Sequence, residues 1–147
     1  MPKSGPILIV EDDADDQYLL RRTLEKLKVK NKTLFFSNGR DALEYLINLE
    51  TTRENPFLIL CDINMPVMNG LELQENIHKN EALRRKSIPF VFLTTSAQKS
   101  DVDKAYNMMV QGYFEKAASM EEFESIIRLI IKYWTECKHP NSFNETN

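Results

Sequence analysis

Short apolar runs alternate along this chain with longer segments of helical spacing, and this alternation restricts the fold more than any other feature. The runs are rich in β-branched and aromatic residues and are bounded by polar or turn residues, as strands are. We predict strands at Ile7–Val10, Thr33–Phe36, Phe57–Cys61, Phe90–Leu93 and Gly112–Phe114. Strands that alternate with helices form a parallel sheet through right-handed crossovers, with helices on both faces. The sequence therefore predicts a doubly wound α/β domain with a five-stranded parallel sheet.

The segments between the strands, and the segment after the last one, carry apolar residues at helical spacing. We predict five helices, marked by Leu20–Leu27, Ala42–Ile47, Leu71–Ile77, Val102–Met109 and Phe123–Trp134. An S-x-x-D pattern at Ser100 and an S-x-x-E pattern at Ser119 resemble capping boxes, so we expect the last two helices to begin there. The last helix should end near Glu136, and Leu49–Pro56 and Asn80–Ile88 should be extended loops.

A length of 147 residues predicts one domain. We expect it to span residues 7–136, with an N-terminal extension at 1–6 and a C-terminal tail at 137–147. Every apolar run is far shorter than the roughly 20 residues of a membrane helix. The run Ile7–Val10 is also too short for a signal peptide. We therefore expect a cytoplasmic protein with no membrane partner.

The charge balance and the metal-binding residue types exclude other classes. Nineteen Lys and Arg against 22 Asp and Glu give a net charge of −3, which disfavours binding to nucleic acid. Cys61 lies in an apolar run and Cys137 in a polar tail, so no disulfide is indicated. His78 and His139 are isolated, which makes a zinc site improbable. Protein partners are expected instead.

Polar residues that can carry chemistry follow four of the five predicted strands. They are Glu11 and Asp12 after the first, Asp62 after the third, Thr94 after the fourth and Lys116 after the fifth. Ligands of open α/β sheets bind outside the carboxyl ends of the strands, so these side chains should converge. Carboxylates at one edge repel one another unless a cation lies among them, and Mg²⁺ prefers oxygen ligands. A carboxylate, a hydroxyl and an ammonium around that ion predict a phosphoryl-transfer site, with the carboxylate as nucleophile.

Each of these residues alone also has a structural interpretation. A Glu-Asp pair after a strand is usually a helix N-cap or an exposed turn, and Asp62 alone is more often a turn residue. Thr94 and Lys116 singly carry almost no signal. Their joint placement at four strand ends has few structural explanations, and it favours the phosphoryl site.

Three motifs resemble those of the receiver domains of two-component response regulators, over nearly the whole chain. Ile7–Asp13 resembles the first strand with its acidic pair. Cys61–Gly70 resembles the phosphoacceptor strand and its D-x-x-M-P-x-M-x-G turn, which is highly specific. Val91–Ser96 resembles the strand with the switch hydroxyl, and the interval of 22 residues from Thr94 to Lys116 matches the family. The resemblance implies a flavodoxin-like strand order of 2-1-3-4-5.

The resemblance also implies a function. Asp62 accepts a phosphoryl group from a histidine kinase or a phosphotransfer protein. Glu11 and Asp12 hold Mg²⁺ together with Asp62 and the backbone carbonyl of Asn64. Such a domain is not an enzyme in the usual sense, because it catalyses only its own phosphorylation and slow dephosphorylation.

The remaining family residues concern the switch. By the same resemblance, Lys116 contacts the phosphoryl group. Tyr113 matches the aromatic residue that turns inward when the hydroxyl corresponding to Thr94 moves towards the phosphate. Plain core packing is the alternative for Tyr113. The expected mechanism is a population shift between two pre-existing states.

Two departures from the usual pattern stand out. Ala117 follows Lys116 where most receivers have a proline, and a cis bond without proline would cost about 3 kcal/mol. The loops Leu49–Pro56 and Asn80–Ile88 are longer than in minimal receivers. The missing proline and the extended tail resemble the small stand-alone regulators partnered with bacterial phytochromes.

With no output domain expected, the phosphorylated surface should act by docking to a downstream protein. The last helix carries Leu129 and Tyr133 at i, i+4 beside its core stripe. We expect this flank to dock a partner or to form a homodimer. Burial under the C-terminal tail is the alternative.

Three classes of function stay open on the sequence alone. The first is the phosphoryl-accepting signalling module, and the second is a binding module of the same fold that never uses phosphate. The third is an aspartyl-phosphate hydrolase for small molecules. The third is disfavoured because hydrolases of the haloacid dehalogenase type carry a carboxylate two residues beyond the nucleophile, where this chain has Asn64.

Overall fold

A computed structural model describes residues 5–52, 54–96 and 98–138. Its centre is a sheet of five parallel strands in the order β2-β1-β3-β4-β5. The strands are β1 (Ile7–Val10), β2 (Thr33–Phe36), β3 (Leu58–Cys61), β4 (Phe90–Thr94) and β5 (Gly112–Glu115). The predicted fold class and strand order are therefore confirmed, and each strand end differs from its prediction by no more than one residue.

In the part of the chain that the structure describes, six helices cover the two faces of this sheet. They are α1 (Ala14–Lys26), α2 (Gly39–Asn48), α3 (Gly70–Lys79), α4 (Glu81–Arg85), α5 (Lys99–Asn107) and α6 (Met120–Glu136). Residues of α1 and α6 pack with Ile7 and Ile9 of β1 in one apolar cluster. Residues of α2, α3, α4 and α5 pack with Leu8 and Val10 in another. Alternate residues of the same strand thus serve opposite faces.

The inner strands explain why the apolar runs are so evident in the sequence. Every residue of β1, β3 and β4 is buried. A parallel strand covered by helices on both faces reads as a continuous apolar run, whereas a strand with one face in water alternates. The edge strands β2 and β5 are only half-buried.

The prediction of an extended loop at Asn80–Ile88 is wrong, because this segment contains α4. The Asn80 side chain accepts a hydrogen bond from Leu83 N and caps the new helix, while its backbone ends α3. Buried Lys86 donates from Nζ to the carbonyls of Thr52 and Glu54, which fastens α4 to the loop after α2. A helix of five residues with one buried side chain has no apolar periodicity for the sequence to reveal.

The predicted start of the fourth helix is also wrong. That helix, α5, begins at Lys99 with Gln98 as its N-cap residue, so Ser100 lies inside it. Asp103 instead accepts a hydrogen bond from Lys99 Nζ at 2.7 Å. The prediction at Ser119 is confirmed, since its side chain accepts from the backbone N of Glu122 and α6 follows directly.

The ends of the chain bear on the domain limits that we predict. Residues 1–4 and 139–147 lie outside the described residues, so the extension at 1–6 and the tail from 137 stay predictions. Cys61 is buried and Cys137 is partly exposed, and both are free thiols. Within the described ranges, none of the helices has the length and apolar character needed to cross a membrane.

Candidate functional site

Three of the predicted site residues meet in a buried ion-pair cluster at the carboxyl end of the sheet. Lys116 Nζ lies 2.5 Å from Glu11 Oε1 and 3.1 Å from Asp62 Oδ2. The exposed fractions of the three side chains are 8% for Lys116, 3% for Glu11 and 9% for Asp62. The direct pairing of β1 with β3 brings Glu11 and Asp62 together, and Lys116 follows β5 at the same end of the sheet. The convergence expected at the strand ends is therefore observed.

Asp12 completes a group of carboxylates that could hold a metal ion. Glu11, Asp12 and Asp62 each offer one oxygen, and these oxygens all lie within 4.8 Å of one another. Asp12 is exposed, whereas the other two are buried. The third acid of the run, Asp13, has a structural role, because its side chain accepts from the backbone N of Asp15 and Asp16 and caps α1.

The local hydrogen bonds fix the two buried carboxylates. Asp62 Oδ1 accepts from Ile63 N at 2.6 Å, which leaves Oδ2 facing Lys116. Glu11 Oε2 accepts from Asp13 N at 3.1 Å. The carbonyl of Glu11 accepts from Gln17 Nε2 at 2.5 Å, so the first turns of α1 hold the end of β1.

Burial and mutual repulsion shift the ionisation of this cluster. The pKa of Glu11 is raised from 4.5 to about 7, because burial and the charge of Asp62, which raise it, outweigh the Lys116 hydrogen bond, which lowers it. Burial lowers the pKa of Lys116, but its hydrogen bonds to Asp16 and Glu11 outweigh burial, so its pKa lies above the ordinary value. A protonated lysine among several carboxylates leaves net negative charge, which favours a bound cation.

Thr94 and Tyr113 lie beside this cluster, and their hydroxyl groups bond to Ser96. Thr94 is fully buried and its Oγ1 accepts from Ser96 N at 3.3 Å. Its carbonyl accepts from Lys116 N at 2.8 Å, which fixes the lysine relative to β4. Tyr113 donates from its hydroxyl to the Ser96 carbonyl at 2.6 Å, and its ring lies 5.8 Å from that of Phe92. Thr94 and Tyr113 thus join β4, β5 and the loop between β4 and α5.

The turn after β3 contains exposed Asn64 and a strained residue, Val67. Met68 N donates to the carbonyl of Pro66 at 2.7 Å, and Val67 has a φ of 68°. A hydrogen bond from i+2 to i around a residue of positive φ defines the rare, strained γ-turn. The turn packs against α2, because Gly39 N donates to the Met68 carbonyl at 2.9 Å.

Replacing Val67 with glycine should stabilise the protein by about 1 kcal/mol. A branched side chain at positive φ costs roughly 1–2 kcal/mol, and the entropy cost of glycine offsets about half of that gain. The side chain is 72% exposed, so little packing is lost. Urea unfolding measures the change. Tyr106→Gly, at an exposed position inside α5, is the control and should destabilise by about 1 kcal/mol. If the free energy of unfolding of Val67→Gly is not higher than that of the parent, the backbone at Val67 is not strained.

The peptide bond after Lys116 is trans, since the described residues include no cis peptide bond. The loop from Lys116 to α6 therefore contains Ala117 in place of the usual proline and needs no cis peptide bond.

Two residues of the site were not predicted from the sequence. Asp16 Oδ2 lies 2.8 Å from Lys116 Nζ, and Gln17 holds the carbonyl of Glu11. Both lie in the early turns of α1. The only signal for them in the sequence was their position shortly after the acidic pair at the end of the first strand.

Comparisons with known proteins agree with this geometry. A family model of the response regulator receiver domain matches residues 7–128. The probable methanogenesis regulatory protein FilR2 of Methanothrix harundinacea is 33% identical over 129 residues, covering 87% of this chain and 82% of that protein. The response regulator Rcp1 of Synechocystis sp. is 32% identical over 133 residues, covering 88% of each.

Solved structures show the same likeness. The phosphorylated cyanobacterial phytochrome response regulator RcpA has a TM-score of 0.82 and 29% identity, covering 92% of this chain and 98% of that one. The Mn²⁺-bound form of Rcp1 has a TM-score of 0.78 and 29% identity, covering 92% and 97%.

The fold and the acidic strand ends define a receiver domain, a signalling domain that partners with histidine kinases. This chain belongs to the response regulator receiver family. The resemblance to phytochrome response regulators noted in the sequence is also confirmed by the similarity to RcpA and Rcp1.

Proposed function

We propose that this receiver domain accepts a phosphoryl group on Asp62 from the phosphohistidine of a kinase or phosphotransfer protein, and signals by altered docking. The observation that carries this proposal is the buried ammonium of Lys116 between Glu11 and Asp62. A purely structural ion pair would not need a third carboxylate, Asp12, in an exposed position beside it.

The transfer follows from the groups around Asp62. A carboxylate oxygen of Asp62 attacks phosphorus, a P–O bond forms, and the P–N bond to the donor histidine breaks. The electron pair of that bond leaves with the imidazole. Lys116 donates to the phosphoryl oxygens and neutralises part of their charge, while Ile63 N holds Asp62 Oδ1 in a fixed orientation.

We propose Mg²⁺ as the cofactor, held by Glu11, Asp12, Asp62 and the backbone carbonyl of Asn64. The donor set fits, because Mg²⁺ prefers oxygen ligands and Glu11, Asp12 and Asp62 offer three carboxylate oxygens within 4.8 Å of one another. The ion would supply positive charge to the phosphoryl oxygens. The Mn²⁺-bound form of Rcp1 supports a divalent cation here.

We further propose that Thr94 and Tyr113 report the phosphorylation to the surface. A phosphoryl oxygen on Asp62 offers an acceptor to the Thr94 hydroxyl, which now accepts from Ser96 N. Movement of this hydroxyl perturbs the loop whose Ser96 carbonyl accepts from Tyr113. Phosphate thereby favours one of two arrangements of the same loop.

Incubation with acetyl phosphate and Mg²⁺ should add the mass of one phosphoryl group, measured on the intact protein. An acyl phosphate carries its own leaving group, so no kinase is needed. Chelation of the metal should prevent the gain, and Asp12→Ala should label at least roughly tenfold more slowly, a loss of about 1.4 kcal/mol in the transition state.

The matched control for this labelling is Asp15→Ala, because Asp15 is an exposed acid nearby that lies outside the carboxylate group. It should label at the parental rate. Labelling of Asp12→Ala at the parental rate would refute the metal role. A parent that gains no mass would refute the proposed function.

Docking through α6 is proposed on its exposed apolar flank. Leu129 and Tyr133 are 59% and 58% exposed, so within the described residues their side chains lie largely uncovered. A homodimer through this flank stays a prediction, as do the cytoplasmic location and the absence of nucleic-acid partners. Sedimentation should show that Leu129→Asp/Tyr133→Asp weakens self-association, whereas Tyr106→Asp on α5 does not. A parent that is monomeric with and without phosphate would remove the homodimer.

A further inference from the structure

Asp16 is an acceptor for Lys116 that the proposed reaction does not use. Its Oδ2 lies 2.8 Å from Lys116 Nζ. The corresponding distances are 2.5 Å for Glu11 and 3.1 Å for Asp62. The N-cap residue Asp13 fixes the turn that carries it, since Asp13 Oδ1 accepts from Asp16 N at 3.2 Å.

These three contacts use the full donor capacity of the lysine. An ammonium group has three protons, and Lys116 directs them to three carboxylates. Phosphorylation converts the Asp62 carboxylate into the uncharged acyl group of an acyl phosphate, so the Lys116 proton directed at Asp62 can pass to one phosphoryl oxygen. A contact with a second phosphoryl oxygen requires Lys116 to release Glu11 or Asp16.

Asp16 is the acceptor that can be released at least cost. Its side chain is 32% exposed against 3% for Glu11, so water can replace the lost hydrogen bond. Leaving Glu11 buried without its cation would carry the larger desolvation penalty. Asp16 is also not a member of the three-carboxylate group that could hold a metal.

We propose that Asp16 is a positioning residue that holds Lys116 in the unphosphorylated state and competes with the phosphoryl group for it. Asp16 thereby slows phosphorylation of Asp62 and sets a threshold for activation. Its negative charge also opposes the approach of an anionic phosphodonor to the same ammonium. This inference rests on the proposed function, because it assigns the regulation of the same site.

The variants Asp16→Asn and Asp16→Ala separate charge from contact. An amide oxygen still accepts from Lys116 but loses the charge-assisted part of the bond, whereas alanine removes the bond. With acetyl phosphate and Mg²⁺ we expect Asp16→Asn to label roughly five- to tenfold faster than the parent, the factor for about 1–1.4 kcal/mol. Asp16→Ala should be at least as fast as Asp16→Asn. Asp15→Asn removes an equal charge from the same turn and should leave the rate unchanged.

A second measurement needs neither metal nor phosphate. In the metal-free parent, the Lys116 ammonium protons should exchange slowly enough with water to give an NMR signal, because all three are bonded. This signal should be lost or broadened in Asp16→Ala and kept in Asp15→Asn.

The outcomes distinguish this inference from the proposed function. Faster labelling together with the altered ammonium signal supports it. If the parent labels on Asp62 but both Asp16 variants label at the parental rate or more slowly, Asp16 does not compete for the lysine and only this inference fails. If the parent does not label at all, the proposed function itself fails.

Discussion

Replacing Asp62 with asparagine should abolish phosphorylation of this protein by acetyl phosphate, as measured by the mass of the intact chain. A neutral amide is not a nucleophile towards phosphorus, whereas the carboxylate of Asp62 carries the attacking oxygen in the proposed reaction. The shape of the side chain is almost unchanged. The substitution also removes a negative charge that repels the Glu11 carboxylate and raises its pKa. Because this repulsion is lost, the variant should still fold.

The control for this variant is another aspartate with an ion-pair partner. Asp103 lies 2.7 Å from Lys99 on the surface of α5, and Asp103→Asn should label at the parental rate. The thermal midpoints of both variants should stay close to that of the parent. Full labelling of the Asp62→Asn variant would place the acceptor elsewhere, and peptide mapping would then locate it.

The sequence predicted the sheet well because the inner strands are buried on both faces. A short, continuous apolar run such as Leu58–Cys61 is typical of an inner strand of a parallel sheet. The polar residues that follow them lie at the ends of the strands by geometry alone. The contact of Glu11, Asp62 and Lys116 follows from that placement, although these residues are separated by up to 105 positions in the chain.

The features that the sequence did not predict are those with weak local signals. The helix α4 has five residues and one buried side chain, Leu83, so its sequence shows no helical periodicity of apolar residues. The start of α5 depends on Gln98, whose side chain makes no capping hydrogen bond. An S-x-x-D pattern one residue inside the helix was therefore mistaken for the cap.

Asp16 was missed for a different physical reason. Acidic residues in the first turn of a helix are favoured by the helix dipole, so their presence at the start of α1 calls for no further explanation. The contact with Lys116 spans 100 residues and appears only when α1 and the end of β5 lie side by side. Residue roles came from the resemblance to receivers, while the placement of those residues came from the topology.

Replacing Gly70 with alanine should destabilise the protein by about 2–4 kcal/mol, because overpacking at a rigid position costs up to a few kcal/mol. A Cβ at this position would lie 2.1 Å from the carbonyl oxygen of Asp62 and 2.8 Å from Phe92 Cε1. Gly70 N also donates to the Ile63 carbonyl at 2.8 Å, so the backbone is held from both sides. This contact explains the glycine that closes the D-x-x-M-P-x-M-x-G turn.

The change should show in two measurements at once, since the clash lies on the backbone of the residue proposed to accept the phosphoryl group. Urea unfolding should show the loss of stability, and the labelling rate of the remaining folded protein should fall as Asp62 is displaced. Gly112→Ala is the matched control, because the nearest atoms to a Cβ there are side-chain atoms, Phe114 Cε1 at 3.3 Å and Val91 at 3.7 Å, and not backbone. It should change neither property by more than a small fraction of the Gly70 effect. Equal stability of the two variants would show that α3 can move away from Asp62, and labelling at the parental rate would show that this movement leaves the acceptor in place.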